Sequence, residues 1–173
     1  MLRRPGVLAI AVGLSVLFTA SSLLRLGLTL PTLRLVPILI GLAVIIVTDL
    51  WLRLIPNRIT FPLIIYVVCT APLFGLASFG RALLGAVVAG SAILILALVS
   101  RGGIGGGDMK LMVVVGGALG WEGAVLVFVL SQLVALAVAL VLSIVLKTIF
   151  RGWLPIGAII AALAAVALVT SPI

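Results

Sequence analysis

Long apolar runs, broken by short clusters of basic and helix-breaking residues, set the pattern of this chain. Runs at about 6–24, 35–50 and 59–77 are followed by a fourth that enters near Arg81 and ends near Val99. Three more cover about 109–120, 124–146 and 154–169. The longer ones reach the ~20 residues a helix needs to cross a bilayer. The run at 109–120 is short, since helix rises about 1.5 Å per residue and this one gives only ~18 Å against a ~30 Å hydrocarbon core. Between the runs, Arg25, Pro31 and Arg34 mark a first loop, and Arg53, Pro56, Asn57 and Arg58 a second. Pro56 pushes Ile55 out of helical geometry, and Pro-Asn favours a turn. Pro62 fits the first turn of the third run, where an amide would be unpaired anyway. Small residues Gly85, Ala86, Ala89 and Gly90 let a neighbouring helix approach the fourth run closely. The glycines of GWEG, 120–123, turn the chain between the short fifth run and the long sixth, which Lys147 and Arg151 end.

Composition makes these runs membrane spans. Of all residues 65% are hydrophobic and 8% charged, with a mean hydropathy of +1.60. A soluble domain of this size has to show water a far more polar outside. Backbone in lipid must satisfy its own hydrogen bonds, so the expected fold class is all-α: a polytopic transmembrane helical bundle of about seven spans. No repeat or linker divides it, and residues 1–173 read as one membrane-embedded domain to which the first span can be accessory. The rival reading of that span is a cleavable signal peptide with a small-residue site at 19–22, against which stands its full spanning length.

The net charge of +8 does not point to nucleic acid, because the basic residues are scattered at span ends, where they suit anionic headgroups of a lipid bilayer. With the N-terminus cytosolic, Arg3, Arg4, Arg53, Arg58, Arg101, Lys110, Lys147 and Arg151 lie on the cytosolic side, and Arg25, Arg34 and Arg81 on the far side. The positive-inside rule predicts N-terminus in and C-terminus out, and the expected location is the cytoplasmic (inner) membrane.

Only three acids occur, Asp49, Asp108 and Glu122. An ionisable group in a membrane span costs roughly 2.5–3.5 kcal/mol at the helix centre on insertion scales, and less near the interface. The span assignment puts Asp49 and Asp108 at one face, the cytosolic one. There is no His and a single Cys, Cys69, in an apolar run. Ser-His proteases, HExxH metalloproteases and His- or CxxC-ligated metals are thereby excluded, and no metal or cofactor is expected. Hydrolytic chemistry has to come from carboxylates, Ser, Lys or Tyr.

Each acid also has a plain structural explanation. Asp108 can cap the helix it begins, a role worth ~1 kcal/mol over Ala. Asp49 lies at a helix C-terminal end, where the dipole disfavours negative charge, and an i, i+4 pair with Arg53 returns only ~0.2–0.5 kcal/mol. Two carboxylates brought together hold one proton between them over a broad pH range. The ionised one can activate water as general base, while the protonated one hydrogen-bonds a carbonyl and later protonates the leaving amine. Gly105, Gly106 and Gly107 precede Asp108 and leave backbone free for an extended peptide; Lys110 and Asn57 are further candidates for substrate contact. Glu122 reads as a solvated turn residue on the opposite face. The alternative function is a non-proteolytic carrier using the acids as a proton or cation relay.

Two stretches carry a family resemblance. TDLWLRLIPNRIT, 48–60, resembles the first signature of type IV prepilin peptidases, an acid followed by a basic turn and IPN. GGIGGGDMKLM, 102–112, resembles their Gly-x-Gly-Asp motif followed by Lys. LPIG, 154–157, is similar to the Pro-aromatic-Gly element of their last span, with Ile156 in place of the aromatic and Ala158 where a second Pro stands. The resemblance implies a Gly-x-Gly-Asp-type intramembrane aspartyl endopeptidase, with Asp49 and Asp108 at the positions of the family's catalytic acids. Its substrates would be prepilin or pseudopilin precursors, cut after a Gly at the cytosolic face to release a short basic leader. Larger members add a cysteine-bearing domain and N-methylate the new terminus. Without those cysteines the chain resembles the short, peptidase-only type associated with tight-adherence pili.

Overall fold

In the computed structural model, which describes residues 5–99, 105–146 and 155–170, every long element is a helix. These are α1 (Pro5–Leu26), α2 (Leu30–Leu52), α3 (Asn57–Thr70), α4 (Leu76–Val99), α5 (Gly106–Leu146) and α6 (Ile156–Thr170), with a 3-10 turn at Ala71–Phe74 after α3. Among the described residues five helices are long and apolar enough to cross a membrane, and Ile156–Thr170 is a shorter apolar helix. Large apolar side chains cover the outside; Leu24 and Leu76 are 87% and 89% exposed. Water would not tolerate such a surface, and lipid requires it. The protein is a multi-pass helical membrane protein.

Helix α5 is broken at Gly120, whose φ of 77° and ψ of 175° lie outside helical space. A left-handed φ costs glycine nothing because it lacks a Cβ. A straight helix would separate Asp108 from Gln132 by about 36 Å, yet both line one cavity. The second limb therefore folds back beside the first, as the GWEG turn predicts, and six helices make about seven passes.

Three boundaries differ from expectation. Helix α2 starts at Leu30, not near residue 35, because Thr29 caps it and Pro31 sits in its first turn, where its missing amide is harmless. Arg34 thus belongs to a helix and not to a loop. Helix α4 starts at Leu76, well before Arg81, after Gly75 turns the chain with φ 98°. Helix α5 starts at Gly106, so Gly106 and Gly107 form its first turn and are not loop; the Asp108 amide donates to the Gly105 carbonyl at 3.1 Å. Arg101, 102–104, Lys147, Arg151 and Leu154 lie outside the described residues.

Helix α2 runs through the middle and supplies much of the core: Ile38, Leu39, Leu42 and Ile45 are at most 1% exposed. It packs on α1, α3 and α6, while α4 lies chiefly along α5. At that last crossing Gly85 meets Gly116, and a Cβ on either would land on the other's carbonyl. Backbone cannot yield as a flexible side chain does. Gly85→Val should therefore lower the thermal midpoint and the folded yield by an overpacking cost of about 1–3 kcal/mol. Leu84→Val, at a position 61% exposed, is the control that should change little. Equal midpoints for the two variants would contradict the close crossing.

Candidate active site

One end of the bundle gathers the C-terminal end of α2 and the first turns of α3, α5 and α6. Helix α2 ends at Arg53, which adopts left-handed φ 53°, ψ 38° and donates its amide to the Asp49 carbonyl. This reversal sends Ile55 back over the helix ends. Asp49, one turn earlier, is buried, with 3% of its surface exposed. Its Oδ2 accepts the Ala158 amide of α6 at 2.7 Å. That amide belongs to the first turn of α6 and has no partner within its own helix. The carboxylate of one span thus caps another, at the positive end of the α6 dipole.

Asp108 comes down from the first turn of α5, half-buried. Gly157 shows how close the two acids are. A Cβ on Gly157 would lie 3.0 Å from Asp49 Oδ2, 3.1 Å from Asp108 Oδ1 and 2.7 Å from Ile55 Cδ1. Both carboxylates border the same methyl-sized space, and α6 can descend onto them only because residue 157 has no side chain. Ile55 closes that space from the loop and also packs on Gly107, where a Cβ would meet the Ile55 Cβ at 2.9 Å. The two glycines are seats for one isoleucine.

The remaining candidates divide. Gly105 and Gly106 are exposed beside Asp108, and a Cβ on Gly105 would stand 3.6 Å from Asp108 Oδ2. Lys110 and Asn57 bind each other: Lys110 Nζ donates to Asn57 Oδ1 at 2.7 Å and lies 5.1 Å from the centre of the Phe61 ring. This tie joins the first turns of α3 and α5. Glu122 is exposed at the Gly120 bend, away from the two acids.

Beside Asp108 a cavity of about 180 Å3 is lined by Ile93 and Leu96 of α4, Phe128 and Gln132 of the returning limb of α5, and Ile156 and Ile160 of α6. None of these residues is a sequence-based candidate, and neither are Ile55, Gly157 or the Ala158 amide. Gly157 and Ile55 do stand inside the LPIG and LIPN stretches. Of the cavity residues only Ile156 stands in such a stretch; Phe128 and Gln132 carry no signal, because only the fold-back at Gly120 brings them to Asp108.

The arrangement defines a class: a multi-pass membrane protein in which two carboxylates from different spans face each other at one bundle end. The chain belongs to the type IV leader peptidase family, whose profile matches residues 36–170. It is 33% identical over 118 residues to the prepilin leader peptidase/N-methyltransferase of Bacillus subtilis strain 168. The match covers 68% of this chain and 47% of that protein, so the chain spans about half the length of the relative. No solved structure matches it.

Proposed function

We propose that the chain is an aspartic endopeptidase that cuts the basic leader from prepilin-like precursors after a Gly, with Asp49 and Asp108 as the catalytic pair. The observation that carries this reading is the space at Gly157, bordered by both carboxylates. In the proposed mechanism the pair shares one proton. The ionised partner takes a proton from water as the water attacks the scissile carbonyl, and the protonated partner stabilises the developing oxyanion. The leaving amine then collects a proton from the pair. The Ala158 amide holds Asp49 in place throughout, and the apolar cavity beside Asp108 receives a side chain next to the cut. Ile55 packs against the space between the acids and helps to bound it. Incubating the purified full chain with a prepilin tests the reading directly: a shortened precursor is expected. An uncut precursor beside protein that folds normally would leave the carrier alternative standing. Cleavage should survive chelator, since a chain with no His and one Cys lacks the usual zinc ligands. Loss of activity in chelator, restored by zinc, would refute the aspartic mechanism.

The proposed setting is the inner membrane, with the dyad end of the bundle facing the cytosol. The basic residues Arg53, Arg58 and Lys110 cluster at that end, as the positive-inside rule requires. Reporter fusions after Arg58 should be active in the cytosol and fusions after Ser78 should not. A cytosolic signal at Ser78 would reverse the orientation.

A further inference from the structure

The bundle end opposite the dyad holds a cavity of about 520 Å3 where α2 and α4 begin and α5 bends. Arg34 of α2, Phe74 of the 3-10 turn, Ser78 and Arg81 of α4 and Gly120 at the bend are among its walls. None of its lining residues is acidic, and Glu122, two residues past the bend, does not line it. Arg34 is half-buried and held from the core side. Its Nε donates to Thr70 Oγ1 and its Nη2 to the Val67 carbonyl, each at 3.0 Å, and the guanidinium lies 5.1 Å from the centre of the Phe74 ring. The Tyr66 hydroxyl donates to the Arg34 carbonyl at 3.3 Å, fixing the backbone beneath. All these partners are neutral. They orient the charge without balancing it.

A charge inside a span is costly unless it is partnered. Two guanidiniums in a cavity that no described acidic residue lines also repel each other until an anion joins them. Guanidinium binds phosphate through paired, planar hydrogen bonds, which suits two arginines that line one cavity from different helices. The surroundings say what carries the phosphate. Deeper in, Leu35, Ile38 and Leu168 line the cavity. Outside it, Leu73 and Leu76 on the turn into α4 are 71% and 89% exposed, and Trp121 beside the bend is 50% exposed, as in an interfacial aromatic belt. A headgroup at the arginines leaves its acyl chains along these leucines. We propose that this cavity binds the phosphate headgroup of an anionic phospholipid, with Arg34 and Arg81 as the phosphate-binding pair.

Native mass spectrometry of the full chain, equilibrated in micelles with phosphatidylglycerol, phosphatidylcholine or inorganic phosphate, tests this site independently of any peptidase activity. Phosphatidylglycerol should remain bound, and the other two should not. Arg81 is exposed, so Arg81→Gln should fold normally and lower the retained lipid about five- to tenfold, the loss of one charge-assisted contact. Arg81→Lys, which keeps the charge, should retain most of it. Arg34→Gln should act in the same direction, but it also breaks the ties to Thr70 and Val67, so Arg81→Gln is the deciding variant. Equal retention of phosphatidylglycerol by wild type and Arg81→Gln would overturn the site. Equal retention of phosphatidylcholine would overturn the anionic preference, and retention of inorganic phosphate in place of lipid would overturn the lipid assignment.

Discussion

Gly157→Val should bring prepilin cleavage down to background in a protein that still inserts and folds. A Cβ at this position already stands 3.0 and 3.1 Å from the two carboxylates, tighter than ordinary packing allows. Valine adds two methyls to that space. Ile55 can swing its Cδ1 away at little cost, but the carboxylates cannot move without loosening the pair or the bond from Ala158 to Asp49. A displacement of ~1 Å in a catalytic geometry costs about 10²-fold in rate, and Gly157→Ala should fall between wild type and valine at about tenfold. The readout is the cleavage rate per folded molecule, with thermal midpoint as the control. Ordinary cleavage by Gly157→Val would show that the space between the acids is not where the reaction takes place.

The parts of this site that are legible in the sequence are those that lipid makes expensive. Asp49 and Asp108 stand out because an acid in a span needs a reason, and Gly120 stands out because GWEG interrupts an apolar run. The helical passes follow from the same economy of polar residues. What stays hidden depends on approach in space. Ile55 looks like one more apolar residue until Gly107 and Gly157 are seen to receive it from two different helices. Phe128 and Gln132 look like lipid-facing positions until the α5 limb returns past Asp108. Pro31 and Arg34 read as loop because a proline and a charge usually end a span; here Thr29 caps the helix, and Thr70 and Val67 hold the guanidinium. Lys110 and Asn57 show a different limit. Their residue types suit a peptide ligand or each other equally well, and the structure joins them to each other.

Asp49→Asn and Asp108→Asn separate chemistry from architecture. Asp49 has a structural task, capping α6 through the Ala158 amide, and an asparagine carbonyl can accept the same hydrogen bond. What it cannot do is exchange a proton. Losing a positioned acid–base group costs about 10²–10⁴ in rate, so each single variant should cleave near background. The double variant should be scarcely slower than either single one, because groups that act as a unit are lost together. Glu122→Gln, at the far bend, should cleave as the wild type does. The most direct measurement is the cleavage rate of a purified prepilin by Asp49→Asn at matched folded amounts: a fall of about 10²-fold or more with an unchanged thermal midpoint is the predicted result. Ordinary cleavage by that variant would contradict the paired-acid account and leave Asp49 as nothing more than the cap of α6.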